Sequence, residues 1–168
     1  MKQNPGVALV TGAGGGIGAA IAVALAEAGH PVVVSDARDE ALTPVLERLE
    51  RVGAQARGVA GDLGADDVPA RLVDAAGELG DLAVLVNNAA VLRDGPFEDT
   101  SLEDWELTFR VNVTAAFRTM QAVLPGFTER GFGRIVNVTS IAGHLPRFNA
   151  AAYGASKAAL THLTRTVA

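Results

Sequence analysis

The 168-residue chain is 49% hydrophobic and 20% charged, a balance that suits one globular domain with a sizeable core and excludes a disordered chain. Its net charge of -5 comes without any run of basic residues, which argues against nucleic acid or an anionic membrane surface as a partner. There is no cysteine, hence no disulfide or thiolate, and His30, His144 and His162 are scattered without metal-ligand spacing.

Taken in order, Met1 to Gly6 lacks the charged-then-apolar order of a signal peptide. Val7 to Val10 is a short apolar run that ends in the glycine-rich stretch TGAGGGIG, residues 11 to 18. A helix is expected over 17–28, stopped by Gly29 and Pro31. Within it the strongly apolar segment 17–26 is too short to span a bilayer, so a soluble, cytoplasmic protein is expected. A buried strand follows at 31–36, then a polar-faced helix over 39–52 with Leu42, Val45, Leu46 and Leu49 on one side. The pattern continues with a strand at 55–61, a helix at 66–79 and a strand at 82–86 running into Asn87-Asn88-Ala89-Ala90.

Thr100 with Glu103 fits a capping box opening a long helix, which Pro125 and Gly126 are expected to end or bend. Trp105 and Phe109 lie at helical spacing along it and read as core. A fifth strand spans 134–139, and a loop from Ser140 to Ala152 leads into a last helix carrying Tyr153 and Lys157. Strand and helix alternate throughout. The expected fold class is therefore α/β, a doubly wound Rossmann-type parallel sheet with helices on both faces, with residues 1–168 as one domain.

Three features carry chemistry. Gly12, Gly14, Gly15, Gly16 and Gly18, with Ile17, sit between a strand and a helix, where free N–H groups and the helix dipole suit a pyrophosphate. The spacing is Gly-x3-Gly-x-Gly with no Lys-Ser/Thr after it, so this is not a P-loop. Asp36 ends the second strand, where a carboxylate can hold both ribose hydroxyls of an adenosine and repels a 2′-phosphate. This favours NAD, with NADP left open by Arg38 nearby. Finally Tyr153, the only tyrosine, is followed four residues later by Lys157, one of only two lysines, so both share a helix face.

Together TGAGGGIG, Asp62-Leu63, NNAA at 87–90, Asn112, Ser140 and YGASK at 153–157 resemble the short-chain dehydrogenase/reductase family over essentially the whole chain. The resemblance implies an NAD(P)-dependent oxidoreductase acting on a secondary alcohol or its ketone, with no metal. Tyr153 is then the catalytic acid/base, and Lys157 holds the nicotinamide ribose and stabilises the deprotonated tyrosine. Ser140 hydrogen-bonds the substrate oxygen, and Asn112 bends the long helix and holds a proton-relay water. Asp62 and Leu63 lie against the adenine, and Asn87 lines the cofactor cleft. The family's usual dimer or tetramer, built through the long helix and the Tyr153 helix, implies a homo-oligomer.

Val91-Leu92-Arg93-Asp94 is similar to the 3-oxoacyl reductase and 3-hydroxyacyl dehydrogenase branch, and Leu145 and Phe148 suggest an apolar pocket wall. His144 and Arg147 read as solvated loop residues. Two departures stand out. Ala90 replaces a glycine of the family pattern. The family usually adds further strands after the Tyr153 helix, so the fifth strand is expected to be an exposed sheet edge. That second departure keeps an alternative open, a catalytically idle nucleotide-binding or interaction module.

Overall fold

A run such as Val32-Val33-Val34 is apolar on both faces, and a parallel sheet covered on both sides is the structure that buries it. In the computed structural model, which describes residues 5–168, five strands pair in parallel. They are β1 (Val7–Thr11), β2 (Val32–Asp36), β3 (Ala56–Ala60), β4 (Leu82–Asn87) and β5 (Arg134–Asn137), in the order β3-β2-β1-β4-β5. Met1 and Lys2 lie outside the described residues, and with them most of the segment read for a signal peptide.

Helices α1 (Gly16–Glu27) and α2 (Thr43–Arg51) cover one face, burying Ala19, Ala22, Val45 and Leu49 against Val10, Val32, Val34 and Val86. The other face takes α3 (Val68–Gly77), the second half of a long helix, and the last helix. The long helix is α4 (Leu102–Phe109), a wide π-turn at Arg110–Thr114, and α5 (Ala115–Arg130); the last helix is α6 (Ala151–Val167). Register aligns Val33, Leu9, Leu85 and Ile135 in one row across this second face. The first three are at most 1% exposed, and burying each such side chain contributes roughly 1.5–3 kcal/mol.

The opposite row runs Val34, Val10, Val86, Val136 and loses its cover at its end, for Val136 is 50% exposed. β5 stands at the edge of the sheet, as expected. Beside it lies a groove of about 580 Å³ between α5, β5 and the end of α6, lined by Leu124, Phe127, Phe132 and Ile135 among others.

Several boundaries differ from the sequence expectation, each for a local reason. The helix expected from Asp39 begins as a 3-10 turn (Asp39–Ala41), and the α-helix starts at Thr43, where Pro44 needs no N–H partner. The long helix is capped by Ser101 rather than Thr100: the Ser101 hydroxyl accepts from the Asp104 N–H at 3.0 Å and donates to its carboxylate at 2.9 Å. Pro125 does not end that helix, which continues to Arg130 and stops at Gly131 in the left-handed conformation, φ 64°. Pro125 and Gln121, whose carbonyl it deprives of a donor, are both exposed, so that carbonyl is open to water. Trp105 is not core: it is 37% exposed and stacks on Phe109 with ring centroids 4.7 Å apart.

Among the described residues, Ser35 Oγ on β2 is the buried side-chain polar atom that has no hydrogen-bond partner. Its desolvation is uncompensated. Ser35→Ala is expected to raise stability by about 1 kcal/mol, read as a higher urea midpoint at unchanged slope; a lower midpoint would show that the hydroxyl is satisfied.

Candidate active site

Consecutive strands spread outward from β1 to β3, and then the chain crosses back to place β4 on the other side of β1. That reversal leaves a crevice beyond the carboxyl ends of the strands. The cleft found there, about 360 Å³, is lined at the strand ends by Gly12, Asp36, Asp62, Leu63, Asn88 and Ala89.

The glycine loop is shaped by close approach. Gly12 has φ +62°, and a Cβ on it would come within 2.7 Å of the Ala89 Cα. Gly18 packs its Cα face directly on the Gly12 carbonyl. Gly15 and Gly16 are exposed, and a Cβ on either would meet nothing. The N-terminus of α1 also has no side-chain cap and no acidic residue in its first turn. Such a cradle fits an anionic group with pyrophosphate character. Asp36 stands beside it, accepting from the Gly14 N–H at 3.1 Å and from the Arg38 N–H at 3.4 Å.

Asp62 accepts the Gly64 N–H at 2.8 Å and pairs with Arg110 at 3.6 Å. Arg118 donates to the Gly64 carbonyl at 2.7 Å and pairs with Asp66. The loop that presents Asp62 and Leu63 to the cleft is thus held by two arginines of the long helix.

Asn112 lies in the π-turn, 1% exposed. Its Oδ1 accepts the Val91 N–H at 2.8 Å, and its Nδ2 donates to the Val91 carbonyl and the Ser156 hydroxyl, both at 3.0 Å. Both amide hydrogens are spent, so the side chain braces the cleft wall and is not free to hold a water through its N–H groups.

Tyr153 is half-buried on the first turn of α6, and Lys157 is 2% exposed one turn on. The Lys157 Nζ lies 5.8 Å from the centre of the Tyr153 ring and donates to the Val138 carbonyl at 2.7 Å. Burial lowers the Lys157 ammonium below its ordinary 10.5, because desolvation disfavours the charged form. Ser140, half-buried, caps a 3-10 turn (Ile141–Gly143), its hydroxyl accepting the Ala142 N–H at 3.2 Å. That turn rests directly on α6: a Cβ on Gly143 would stand 2.8 Å from the backbone of Lys157 and Ala158, and one on Gly154 3.0 Å from the Ala142 carbonyl.

The structure thus gathers Gly12, Asp36, Asp62 and Leu63 around one cleft and sets Ser140, Tyr153 and Lys157 on one packed unit beside Val138. Asn87 differs from expectation. It is 5% exposed, and its side chain donates to Asn137 and accepts from Thr119 beneath the cleft. Its neighbour Asn88 forms the wall, donating to the carbonyls of Thr11 and Gly12 at 3.0 and 2.9 Å. Thr11 answers by accepting the Asn88 and Ala89 N–H groups. Thr11, Asn88 and Ser156 lie inside the quoted motifs but carried no role of their own in the sequence, and Gly143 was not singled out; an Asn pair directly after a strand was the signal for Asn88. Ala90 costs no strain, because among the described residues the non-glycine position with positive φ is Asn149.

The sequence pattern of the family described as short chain dehydrogenase matches residues 6–168. The chain belongs to the short-chain dehydrogenase family. It is 37% identical over 162 residues to a 7alpha-hydroxysteroid dehydrogenase of Escherichia coli (strain K12), covering 96% of this chain and 63% of that one. It is also 37% identical over 163 residues to a 2,3-dihydro-2,3-dihydroxybenzoate dehydrogenase of Bacillus subtilis (strain 168), covering 95% and 61%. A crystal structure of NAD+-bound xylitol dehydrogenase superposes with a TM-score of 0.94 at 37% identity, over 100% of this chain and 65% of that one. The chain thus spans less than two thirds of the length of these relatives. Its described helices include none long and apolar enough to cross a membrane, and the described residues include no cluster of three His, Cys, Asp or Glu that could hold a metal.

Lys157 gives the chain a pH signature. Between its lowered folded value and 10.5, the unfolded chain keeps a proton that the folded chain has released, so stability rises with pH in that window. Below it, the folded chain carries the full cost of a buried ammonium. In urea denaturation over a pH series, wild type should gain on Lys157→Met as pH climbs toward 10.5. A gap that stays constant with pH would mean Lys157 is not desolvated.

Proposed function

We propose that the chain is an NAD-dependent oxidoreductase that moves a hydride between nicotinamide and a secondary alcohol or its ketone, with Tyr153 as acid/base. The observation that carries this is the setting of Tyr153: a half-buried phenol over a buried ammonium, with the turn of Ser140 packed on the same helix. Residues 14–18 would hold the pyrophosphate, Asp36 the adenosine ribose, Asp62 and Leu63 the adenine, and Lys157 the nicotinamide ribose. The bound dinucleotide supplies the hydride acceptor or donor.

The protein's own part is the proton. The Tyr153 oxygen takes the alcohol proton as the C–H bond breaks, and returns it to the oxygen in the reductive direction. Lys157 stabilises the charge that develops there: a unit charge at ~4 Å and effective dielectric ~20 is worth about 4 kcal/mol. The Ser140 hydroxyl orients the substrate oxygen. Asn112 enters as the brace of the wall, its amide committed to Val91 and Ser156.

Asp36 favours NAD over NADP, since a 2′-phosphate would meet its carboxylate in the cleft wall. Exposed Leu92, Leu145 and Phe148 on the loops flanking the cleft support an apolar substrate, of the 3-oxoacyl or hydroxysteroid kind. Exposed Trp105 and Phe117 on the long helix support assembly as a homo-oligomer through that helix and α6. A monomer in light scattering at micromolar concentration would remove that last element.

The test of the whole reading is a fluorescence titration with NADH and NADPH, followed by turnover on secondary alcohols. NADH is expected to bind at least tenfold tighter than NADPH. Tyr153→Phe should keep the NADH affinity and lose turnover by a hundredfold or more. A Tyr153→Phe variant with wild-type turnover would sink the assignment, and binding without any wild-type turnover would leave an idle nucleotide-binding module.

A further inference from the structure

The helix that carries Tyr153 begins without the usual devices. Its N-cap is Ala150, which makes no side-chain cap, and its first turn contains no acidic residue and includes Gly154, a poor helix former. A helix end built this way frays unless something outside it holds the first turn. Besides the turn of Ser140 packed on Gly154, the group that holds it is Ser156. Its hydroxyl, 0% exposed, donates to the Tyr153 carbonyl at 2.7 Å and accepts the Asn112 Nδ2 hydrogen at 3.0 Å. Asn112 in turn is fixed to both backbone groups of Val91.

We propose that Ser156 is a positioning residue, a buried pin that fastens the backbone of Tyr153 to the π-turn and so sets where the phenol stands. The proposal goes beyond the functional reading above and rests on it only for the effect on turnover. The pin satisfies none of the N–H groups an N-cap would accept; it fastens the first turn from its carbonyl side. It acts three residues along, on the carbonyl of Tyr153 itself, and it is anchored in another helix. Ser156 itself does not line the cleft, so its removal is expected to disturb the phenol while sparing the dinucleotide site.

Because Tyr153 is the only tyrosine, protein labelled with ring-13C tyrosine reports this residue alone by NMR, with no cofactor or activity needed. Ser156→Ala is compared with Thr161→Val, which removes a hydroxyl that donates to the Lys157 carbonyl at 2.8 Å within α6. The expected result is a Tyr153 signal displaced or broadened in folded Ser156→Ala and unmoved in Thr161→Val. Alongside it, the NADH dissociation constant should stay within twofold. Oxidation of a 7α-hydroxysteroid probe should lose at least tenfold in kcat with KM within twofold, and Ser156→Cys should recover part of the loss.

A Tyr153 signal in folded Ser156→Ala that coincides with wild type overturns the pin, as does an equal displacement in Thr161→Val. If Ser156→Ala does not fold, Ser156→Cys, of similar volume and with a weak donor, carries the same comparison. A wild-type protein that binds no NADH and turns over nothing overturns the functional reading, while the NMR comparison still decides the pin.

Discussion

The side-chain amide of Asn112 makes three hydrogen bonds from a position 1% exposed, and the parts of the site are arranged around it. Asparagine inside a helix competes with the backbone and is unfavourable by propensity. Here the helix yields, opening into a π-turn over Arg110–Thr114. The widened turn aims Asn112 at Val91 on the cleft wall and at Ser156 on α6, while Arg110 pairs with Asp62 at 3.6 Å. One turn of helix therefore touches the loop after β3, the loop after β4 and the helix of Tyr153. Losing that amide would leave the half-buried Val91 N–H and carbonyl without these partners, a cost of about 1–3 kcal/mol each.

A second set of short-range contacts fixes the other end of the cleft. The crossover that puts β4 beside β1 makes a crevice, yet crevice walls at strand ends are loops and need their own restraint. Thr11 and Asn88 supply it by exchanging bonds between the ends of β1 and β4, with the glycine turn folded over them. The small residues serve the same end: Gly12 against Ala89, Gly18 against Gly12, and Gly143 against the backbone of Lys157 and Ala158. Wherever two loops must touch through their main chains, this chain has removed a side chain.

The alternation of apolar runs with amphipathic segments made the layered sheet legible, because strand and helix periods are local properties of the sequence. The glycine turn, Asp36, Tyr153 and Lys157 were legible because each stands at a strand end or a helix spacing that limits where it can point. What escaped was set by partners distant in sequence. Asn87 and Asn88 are adjacent and chemically identical, yet one is paired below the cleft with Thr119 and Asn137 and the other above it with the glycine turn. Only the pleat of β4, which sends successive side chains to opposite faces, decides between them. Ser156 was hidden because a serine between alanine and lysine carries no periodic signal, and its meaning comes from Asn112, 44 residues away. The choice of Ser101 over Thr100 as cap rested on a one-residue shift to which propensity is blind.

Lys157 shows how these constraints trade against stability. An ammonium 2% exposed, with the Val138 carbonyl as its hydrogen-bond partner and no carboxylate paired with it among the described residues, is a net cost to the folded state. Nothing in the packing demands a lysine there; a methionine of similar length would fill the space. The cost is borne by the rest of the fold, above all by the rows of valine and leucine crossing the sheet. What the lysine provides in return is a fixed positive charge under a phenol, in a place where desolvation strengthens every charge interaction. A group that opposes folding yet is held in place by a hydrogen bond, a helix and a backbone contact through Gly143 makes sense only if its charge is used. The same reasoning separates Lys157 from Ser35, buried and unpaired on β2. That hydroxyl makes no hydrogen bond, and its desolvation has no matching gain.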